Sequence, residues 1–530
     1  MAHLRREARV RSAAAATLLF TAGCAALSSE SLELSLDRAR EAMARSSASG
    51  GTFEIRGRLR TAQGGEVGFV DLVGPRGRFV RRIEGNLGYA EGFDGRTVWR
   101  ADPKGRSWTV DLDARNELLG QGWLRWGQWL DDLPGGPAVG RTGGWGGGDL
   151  KLVIGPGWSV TVVLDPMTGL PEYWTRELDH GRETVQLEDW RSPYGFAIPF
   201  KSRKISPRGT TTTCIVESVE PIIADLDRDT TLERFTWVAE PYHHDPDASA
   251  ECIARVGPGG QAFVRVELEG EDAGWFLVDS GAGRGVIDTG LADRLGWATL
   301  GSVSLAGTGS PVQANWRRGG GLAVGQLRMS ETVWVGYDLG LLESSLGLRI
   351  SGILGHDVLS RTAVEMDLAE GRVWFHGPDA AREFMGTPLS VSFDGTAPCI
   401  RGRFSPGVDG VFRVDTGSDD TITFHPRTVR ENRWPTELEG SQRVTVSGFG
   451  GSSRGRRIQI PWVELARTRL EQLPVTLLES SSGPLARPSI SGNLGVGVLR
   501  EFRVLLDLGQ ERIVLRPRGA NPVGAGDGLR

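Results

Sequence analysis

The stretch Trp275-Phe-Leu-Val-Asp-Ser-Gly-Ala-Gly283 decides how the rest of the chain is interpreted. An apolar strand runs into Asp279, and a small hydroxyl residue and a glycine follow. The strand fixes the direction of the carboxylate, Ser280 offers a local hydrogen bond, and Gly281 lets a second backbone or a substrate approach closely. The stretch Val411-Phe-Arg-Val-Asp-Thr-Gly-Ser418 has the same order of residue types. Two such carboxylates that face each other would share one proton and activate a water molecule.

The sequence around each aspartate belongs to a longer internal repeat. Three landmarks recur at a nearly constant spacing of 136 or 140 residues: Asp279 with Asp415, Gly355 with Gly495, and Asp367 with Asp507. The two glycines close the motifs Ile-Ser-Gly-Ile-Leu-Gly and Ile-Ser-Gly-Asn-Leu-Gly, so Asn493 stands where the first copy has Ile353. This spacing indicates a duplicated unit.

Each copy resembles the retropepsin-like aspartic peptidase fold, a small all-β lobe of which two copies form one active site. The resemblance rests on Val-Asp-Ser-Gly and Val-Asp-Thr-Gly, each with its distant Leu-Gly, and it covers about 252–517. It implies one set of site residues: Asp279, Asp415, Ser280, Thr416, Gly281 and Gly417. In this set the aspartates form the catalytic pair, the hydroxyl residues bond across the lobes, and the glycines keep the backbones close. The resemblance implies no cofactor and a polypeptide substrate.

The resemblance to aspartic peptidases also guides the interpretation of three further features of the repeat. The Gly-rich hairpins at 307–310 and 448–451 would be flaps over the substrate, although glycine serves an ordinary hairpin turn equally well. Asn493 departs from the family pattern, and it either bonds locally or marks a second lobe that has drifted. The extra triplet Asp288-Thr-Gly290 has no Leu-Gly partner of its own, so we interpret it as the start of a short helix.

The region before the repeat has a different pattern. Residues 32–47 have helical spacing of apolar residues, and strand-like alternation follows around 53–60, 69–73, 97–99, 159–164 and 184–187. One helix followed by a long antiparallel meander resembles the LolA-like lipoprotein carriers. The likeness is carried by the turn-containing stretches Gly92–Trp99, Val163–Pro171 and Asp189–Pro199. It implies a half-barrel whose apolar cavity would hold a lipid or lipoprotein; the alternative is a spacer whose cavity is filled by its own Trp side chains.

The N-terminus is typical of a secretory signal. Basic residues at 5–11 precede a short apolar run at 13–20, and Gly23-Cys24 resembles the bacterial lipobox. The resemblance implies a lipid on Cys24 and a periplasmic protein, and Ala25 after the cysteine, rather than Asp, predicts sorting to the outer membrane if the cell is Gram-negative. Thr21 replaces the usual Leu, so ordinary cleavage near Ala26 stays open.

Charge and residue spacing bear on three further features: a nucleic-acid partner, a metal site and a disulfide. The net charge is −5 and no Lys/Arg run is interleaved with aromatic residues, so a nucleic-acid partner is not expected. His243, His244 and Asp245 have no second ligand pair downstream, and a solvent-facing loop is favoured over a metal site. Cys214 and Cys252 would either form a disulfide or remain buried thiols.

Together these features predict a mainly β protein with an N-terminal LolA-like half-barrel and two retropepsin-like lobes that form a pseudo-dimer. The predicted boundaries are a signal peptide at 1–23, the half-barrel at 30–240, a linker at 241–251, lobes at 252–378 and 388–517, and a disordered tail at 518–530. The predicted function is that of a monomeric aspartic endopeptidase. The alternatives are a non-catalytic lipoprotein that binds lipid, lipoprotein or peptide, and an enzyme whose lobes pair between two chains.

Overall fold

The structure is a computed structural model that describes residues 32–44, 51–61, 64–85, 87–142, 149–178, 181–222, 242–305, 307, 311–377, 380–434, 441–479 and 483–518. The predicted signal peptide, Cys24 and the tail from 519 lie outside the described residues. Two compact units form the chain: Met1–Gly85, Gly92–Arg96 and Glu117–Glu233 in the first, and Asn86–Glu91, Thr97–Asn116 and Arg234–Arg530 in the second. Among the described residues, no helix is long and apolar enough to cross a bilayer.

The helices are α1 (32–42), α2 (Leu112–Arg125), α3 (Thr289–Arg294), α4 (Gly340–Leu346), α5 (His356–Leu359), α6 (Pro426–Glu431) and α7 (Val496–Leu499). The strands of the N-terminal half are β1 (Thr52–Thr61), β2 (Glu66–Val73), β3 (Phe79–Ile83), β4 (Tyr89–Phe93), β5 (Val98–Ala101), β6 (Ser107–Thr109), β7 (Ala138–Arg141), β8 (Leu150–Gly155), β9 (Trp158–Leu164), β10 (Pro171–Leu178), β11 (Gly181–Arg191), β12 (Ile198–Ile205) and β13 (Thr211–Ile222).

The strands of the first repeat are β14 (Tyr242–His244), β15 (Ala254–Val256), β16 (Ala262–Leu268), β17 (Glu271–Val278), β18 (Val286–Asp288), β19 (Thr299–Leu305), β20 (Val312–Gly319), β21 (Leu322–Val324), β22 (Leu327–Met329), β23 (Thr332–Tyr337), β24 (Gly352–Leu354), β25 (Ala363–Asp367) and β26 (Arg372–His376). Those of the second are β27 (Thr387–Ser390), β28 (Ser392–Asp394), β29 (Ala397–Phe404), β30 (Val408–Val414), β31 (Ile422–Phe424), β32 (Gln442–Gly448), β33 (Gly451–Leu465), β34 (Thr468–Leu478), β35 (Gly492–Leu494), β36 (Phe502–Asp507) and β37 (Arg512–Pro517).

The first unit is built on an antiparallel sheet. Ten neighbouring strands run in the order β3-β2-β1-β13-β12-β11-β10-β9-β8-β7. Strand β9 alternates buried and half-buried residues along its whole length, as expected when one face of a sheet packs on a core. A buried cluster on this sheet contains Ile55, Phe69, Val73, Ile83, Trp126, Phe196, Ile198, Phe200, Val216 and Val219. The chain's own aromatic side chains therefore help to fill this core.

Helix α2 is the main element of this half that the sequence does not predict. It contains Gly120 and Gly122, and glycine within a helix costs about 1 kcal/mol relative to alanine. A Cβ on Gly120 would lie 2.2 Å from the ring of Trp158, and a Cβ on Gly122 would lie 2.2 Å from the ring of Phe79. Close packing of two aromatic rings therefore outweighs the local preference against a helix. The predicted helix at 32–47 is present over 32–42; a turn follows at 43–44, and 45–47 lie outside the described residues.

The second unit contains two sheets whose central strands follow the sequence repeat. As far as it is described, one sheet runs β14-β22-β21-β16-β17-β24-β18-β23-β20-β19 and the other β28-β29-β30-β35-β31-β34-β33-β32. In the first, β24 is parallel to β17 and antiparallel to β18. In the second, β35 is parallel to β30 and antiparallel to β31. A third sheet, β26-β25-β36-β37-β27, joins the closing hairpins of both copies.

The segment predicted as a linker, 241–251, is partly built into a sheet. Strand β14 pairs with β22, and Tyr242 lies opposite Met329. The backbone N–H of Asp245 donates to the carbonyl of Gln326 at 2.8 Å. Burial lowers the pKa of His244, which is half-buried. Three residues of this segment therefore continue the β-sheet instead of forming a free connection.

The described cysteines are Cys214, Cys252 and Cys399, and each is a free thiol. Cys214 and Cys252 therefore do not form a disulfide in this structure. Burial raises the pKa of Cys252 and of Cys399 to about 12, which keeps both protonated at neutral pH.

Residues 97–116 precede the repeat by more than a hundred positions but belong to the second unit. The indole N–H of Trp108 donates to the carbonyl of Gly395 at 2.7 Å. The carboxylate of Asp113 accepts from the backbone N–H and the hydroxyl of Ser489 at 2.9 and 2.8 Å. The second unit is therefore built from three separate stretches of the chain, and residues 97–116 are one of them.

A buried ion pair in the same region gives the first prediction. Asp102 pairs with Arg361 at 2.8 Å, and their side chains are only 4% and 2% exposed. Asp102→Ala is expected to lower the free energy of unfolding by about 3–5 kcal/mol, because a guanidinium left buried without its partner is costly. Chemical denaturation at pH 7 measures the change. The control is Glu431→Ala, which breaks the exposed pair with Arg427 and should cost under about 0.5 kcal/mol; equal losses in both variants contradict the prediction.

Candidate active site

The two repeated aspartates follow the ends of equivalent strands, β17 and β30. The backbone N–H of Asp279 donates to the carbonyl of Leu354 at 3.1 Å, and that of Asp415 donates to the carbonyl of Leu494 at 2.9 Å. Each aspartate turn is therefore fastened to the Leu-Gly element of its own copy.

Glycine is required at the end of each Leu-Gly element because the backbone of the aspartate loop lies against it. A Cβ on Gly355 would lie 2.5 Å from the carbonyl carbon of Arg284. A Cβ on Gly495 would lie 2.2 Å from the carbonyl oxygen of Asp420. Neither backbone contact leaves room for a side chain.

The turns that carry the two aspartates are joined by reciprocal hydrogen bonds. The backbone N–H of Ser280 donates to Thr416 Oγ1 at 2.9 Å, and the backbone N–H of Thr416 donates to Ser280 Oγ at 3.1 Å. The hydroxyl of Ser280 donates to the carbonyl of Val414, and that of Thr416 donates to the carbonyl of Val278, both at 2.8 Å. Both side chains are fully buried. The four bonds fix one turn against the other.

This network gives a second prediction. Thr416→Val leaves the N–H of Ser280 and the carbonyl of Val278 buried without their partners, each at a cost of about 1–3 kcal/mol. We therefore expect the free energy of unfolding to fall by roughly 2–4 kcal/mol, as measured by chemical denaturation. Thr299→Val, at an exposed position on β19, should change it by less than about 0.5 kcal/mol. A Thr416→Val protein as stable as the parent contradicts the assigned bonds.

The carboxylates of Asp279 and Asp415, called the aspartate pair from here on, lie against the two glycines of the turns. A Cβ on Gly281 would lie 2.7 Å from Asp415 Oδ1 and 3.1 Å from Asp279 Oδ1, so these oxygens are separated by no more than the sum of those distances. A Cβ on Gly417 would lie 2.5 Å from Asp279 Cγ. Any other residue at these two positions would displace a carboxylate.

Burial and mutual repulsion set the protonation of the aspartate pair. Burial, followed by the charge of Asp415, raises the pKa of Asp279 to about 7. Burial also raises the pKa of Asp415, while the guanidinium of Arg413 and the amide of Asn493 oppose the rise. Two close carboxylates cannot both ionise readily, so the pair retains one proton over the acid to neutral range.

Hydrogen bonds to the two carboxylates differ. Asp279 Oδ1 accepts from the backbone N–H groups of Gly281 and Ala282 at 2.8 and 3.1 Å. Asp415 Oδ2 accepts from the side-chain amide of Asn493 at 3.1 Å. Asn493 Oδ1 in turn lies 3.1 Å from Nε2 of His425. The sequence singles out Asn493 because an asparagine stands at an isoleucine position of the repeat. Nothing in the sequence indicates that His425 contacts it.

The extra Asp-Thr-Gly triplet has a structural role. Asp288 precedes α3, and its Oδ1 accepts from the backbone N–H of Leu291 at 3.0 Å. The interpretation of this triplet as a helix start is confirmed. Elsewhere in the repeat, Asp367 accepts from the backbone N–H of Glu370 in a turn, and Asp507 forms an ion pair with Arg512.

Gly307, from the first Gly-rich hairpin, lies against the tip of the second. Of the first, 307–310, only Gly307 lies within the described residues. At the tip of the second, the ring of Phe449 packs edge-on against Tyr337 with centroids 5.3 Å apart. A Cβ on Gly307 would lie 2.5 Å from the carbonyl oxygen of Phe449. The second hairpin therefore reaches the core of the first copy, where Phe449 joins an apolar cluster.

Comparison with known proteins identifies part of the second unit. The family model described as "Aspartyl protease" matches residues 264–358, which include Asp279 and its Leu-Gly element. Among solved structures, a LolA superfamily protein from Nitrosomonas europaea is similar at 15% identity, over 38% of this chain and 97% of that chain, with a TM-score of 0.28. No curated protein matches the sequence. The chain thus contains an aspartyl protease domain at residues 264–358.

Proposed function

We propose that the protein is an aspartic endopeptidase whose two β lobes, 252–378 and 388–517, form an intramolecular pseudo-dimer. The aspartate pair would activate the water that hydrolyses a peptide bond. The observation that supports this most strongly is the geometry of the two turns, which brings two buried carboxylates to the same pair of glycines. The match of residues 264–358 to the aspartyl protease family supports the same reaction class.

The chemistry follows from one shared proton. The ionised aspartate takes a proton from a water molecule as the water oxygen attacks the peptide carbonyl carbon. The protonated aspartate hydrogen-bonds the carbonyl oxygen and transfers its proton there. The tetrahedral intermediate then breaks its C–N bond as the nitrogen receives a proton from the pair. Ser280 and Thr416 touch no substrate atom in this scheme; they hold the turns at the required separation.

The substrate in this proposal is an extended, unfolded polypeptide segment. Peptides are commonly recognised as added strands, which need their backbone groups free of internal structure. The hairpin tip at 448–451 would cover the bound segment and exclude water, as closing loops do in other enzymes. Contact between Phe449 and Tyr337 provides the apolar side of such a cover.

The proposal includes a cell location and an assembly state. Cys24 would carry a lipid that anchors the protein in the periplasm, and the first unit would hold a lipid or lipoprotein. Mass spectrometry of the mature N-terminus tests the anchor, with Cys24→Ser as its control. The reciprocal bonds between Ser280 and Thr416 lie within one chain, which supports activity as a monomer. Specific activity that falls on dilution would instead favour lobes that pair between chains.

The direct test is cleavage of an unfolded protein by the full chain across pH 3–8, with fragments sequenced by mass spectrometry. The parent and the Asp288→Asn variant are both expected to cleave, because asparagine caps a helix as well as aspartate does. Variants of the aspartate pair are expected to be inactive. Binding of the unfolded protein without any cleavage at any pH would favour the non-catalytic alternative.

A further inference from the structure

The aspartate pair is asymmetric at the Leu-Gly elements. We infer that Asn493, oriented by His425, is a positioning residue that makes Asp415 the ionised member of the pair and Asp279 the protonated member. This inference rests on the proposed function for its catalytic meaning. Its physical content, which carboxyl holds the proton, can be measured without any cleavage.

The asymmetry arises at equivalent positions of the two copies. In the first copy Ile353 lies opposite Leu277 in the parallel pairing of β24 with β17. In the second copy Asn493 lies opposite Arg413 in the pairing of β35 with β30. Ile353 is buried and apolar, so it has no hydrogen bond to offer Asp279. Only the second copy presents a side-chain donor at this place.

The orientation of the Asn493 amide follows from its neighbours. The hydrogen-bonded pair of Nδ2 and Asp415 Oδ2 needs the N–H side of the amide to face the carboxylate, because an ionised carboxylate only accepts. Oδ1 then faces Nε2 of His425, which must carry hydrogen to donate. Burial lowers the pKa of His425 to about 3, so its imidazole is neutral at working pH. The histidine therefore fixes the amide without adding a charge.

A charged group near Asp415 also favours the ionised form of its carboxyl group. Arg413, near the end of the strand that precedes Asp415, favours the ionised form of Asp415, although Arg413 is itself paired with Asp394 at 3.2 Å. The charge of Asp415 raises the pKa of Asp279, and the buried His425 beside Asn493 is neutral. Asp279 accepts the backbone N–H bonds of Gly281 and Ala282, and within the part of the chain that the structure describes it forms no ion pair with a cationic side chain. The charge of the pair is therefore held on the second copy.

The assignment gives each oxygen a role. Asp415 Oδ2 is engaged by Asn493, so Oδ1, which lies against Gly281 in the turn of Asp279, is the oxygen that would accept the proton of the water. As that O–H bond breaks, the water oxygen bonds to the carbonyl carbon, and the proton of Asp279 passes to the carbonyl oxygen. The base and the acid thus come from different copies of the repeat.

The test removes one member of the pair and titrates the other. In the Asp279→Asn protein, carboxyl-¹³C NMR follows the titration of Asp415. Its titration midpoint is obtained by subtracting the spectra of the Asp279→Asn/Asp415→Asn double variant. Adding Asn493→Leu is expected to raise this midpoint by about one unit, because the charged form loses a donor. In the Asp415→Asn protein the same replacement should leave the midpoint of Asp279 unchanged. No shift in the first protein, or equal shifts in both, overturns the inference.

A second variant and an activity measurement complete the test. If the Asn493→Leu protein does not fold, His425→Phe in the Asp279→Asn background is the second variant. It frees the Asn493 amide and should raise the titration midpoint of Asp415 by a smaller amount; no shift there overturns the inference too.

In the otherwise unchanged chain, Asn493→Leu should move the acid limb of the pH profile of kcat/KM upward by about one pH unit with KM unaltered. A chain that never cleaves, yet shows the titration shift, sinks the proposed function and leaves the proton assignment standing.

Discussion

Asp279→Asn and Asp415→Asn are each expected to lower the rate of peptide cleavage by about 10³–10⁴-fold. General acid–base catalysis contributes factors of about 10²–10⁴, and here one shared proton serves both the acid and the base. Asparagine keeps the size of each side chain, and at position 279 it keeps an acceptor for the N–H of Gly281, so the turns should survive the changes. Loss of rate then reports on the carboxyl group itself.

The measurement is kcat/KM on one unfolded protein substrate, determined for the parent and both variants at each pH from 3 to 8. The matched control is Asp288→Asn, which replaces the aspartate of the third Asp-Thr-Gly triplet and should retain parental activity. Circular dichroism establishes that each variant is folded. Full activity in either variant of the pair is incompatible with a shared-proton mechanism.

The second large effect concerns stability. Asp279→Asn is expected to be more stable than the parent at pH 8 by up to about 4 kcal/mol, taking 1.36 kcal/mol per pKa unit. In the folded protein Asp279 keeps its proton up to about pH 7, whereas its ordinary pKa is 3.8. Between these values the folded state binds more protons than the unfolded chain, so the parent loses stability as pH rises. Asparagine has no proton to lose and escapes this penalty.

Chemical denaturation at pH 4, 6 and 8 checks the prediction. The difference between Asp279→Asn and the parent should be small at pH 4 and should grow up to about pH 7. Asp409→Asn, at an 84% exposed side chain, should differ by less than about 0.5 kcal/mol throughout. A difference that is absent at all three pH values means that Asp279 does not hold a proton at neutral pH. A stabilised but inactive variant would also show that the site is maintained at the expense of stability.

Much of the second unit was predictable because its signals are local and occur twice. Val-Asp-Ser-Gly and Val-Asp-Thr-Gly stand at strand ends in both copies, and each aspartate bonds to the Leu-Gly element that recurs with it in the sequence. Strand alternation likewise identified β1 and β9 in the first unit. Asp288 was separated from the pair because a helix start has its own sequence signature.

The rest depends on contacts between residues far apart along the chain. His425 reaches Asn493 across 68 positions, and no pattern around the histidine indicates the contact. Helix α2 contains two glycines that sequence rules count against a helix, and only the rings packed on them explain its presence. The buried pair of Asp102 with Arg361 spans 259 positions. Residues 97–116 could not be assigned to the second unit without these partners.

The most direct test of the central claim is the pH dependence of kcat/KM for cleavage of an unfolded protein. A pair that shares one proton gives a rate that falls on both sides of an optimum, with the alkaline fall near pH 7 as Asp279 loses its proton. In Asp279→Asn and Asp415→Asn the activity is expected to be lost, so neither the acid nor the alkaline fall in rate should be measurable. A rate that keeps rising above pH 8, or that persists in either variant, contradicts catalysis by the aspartate pair.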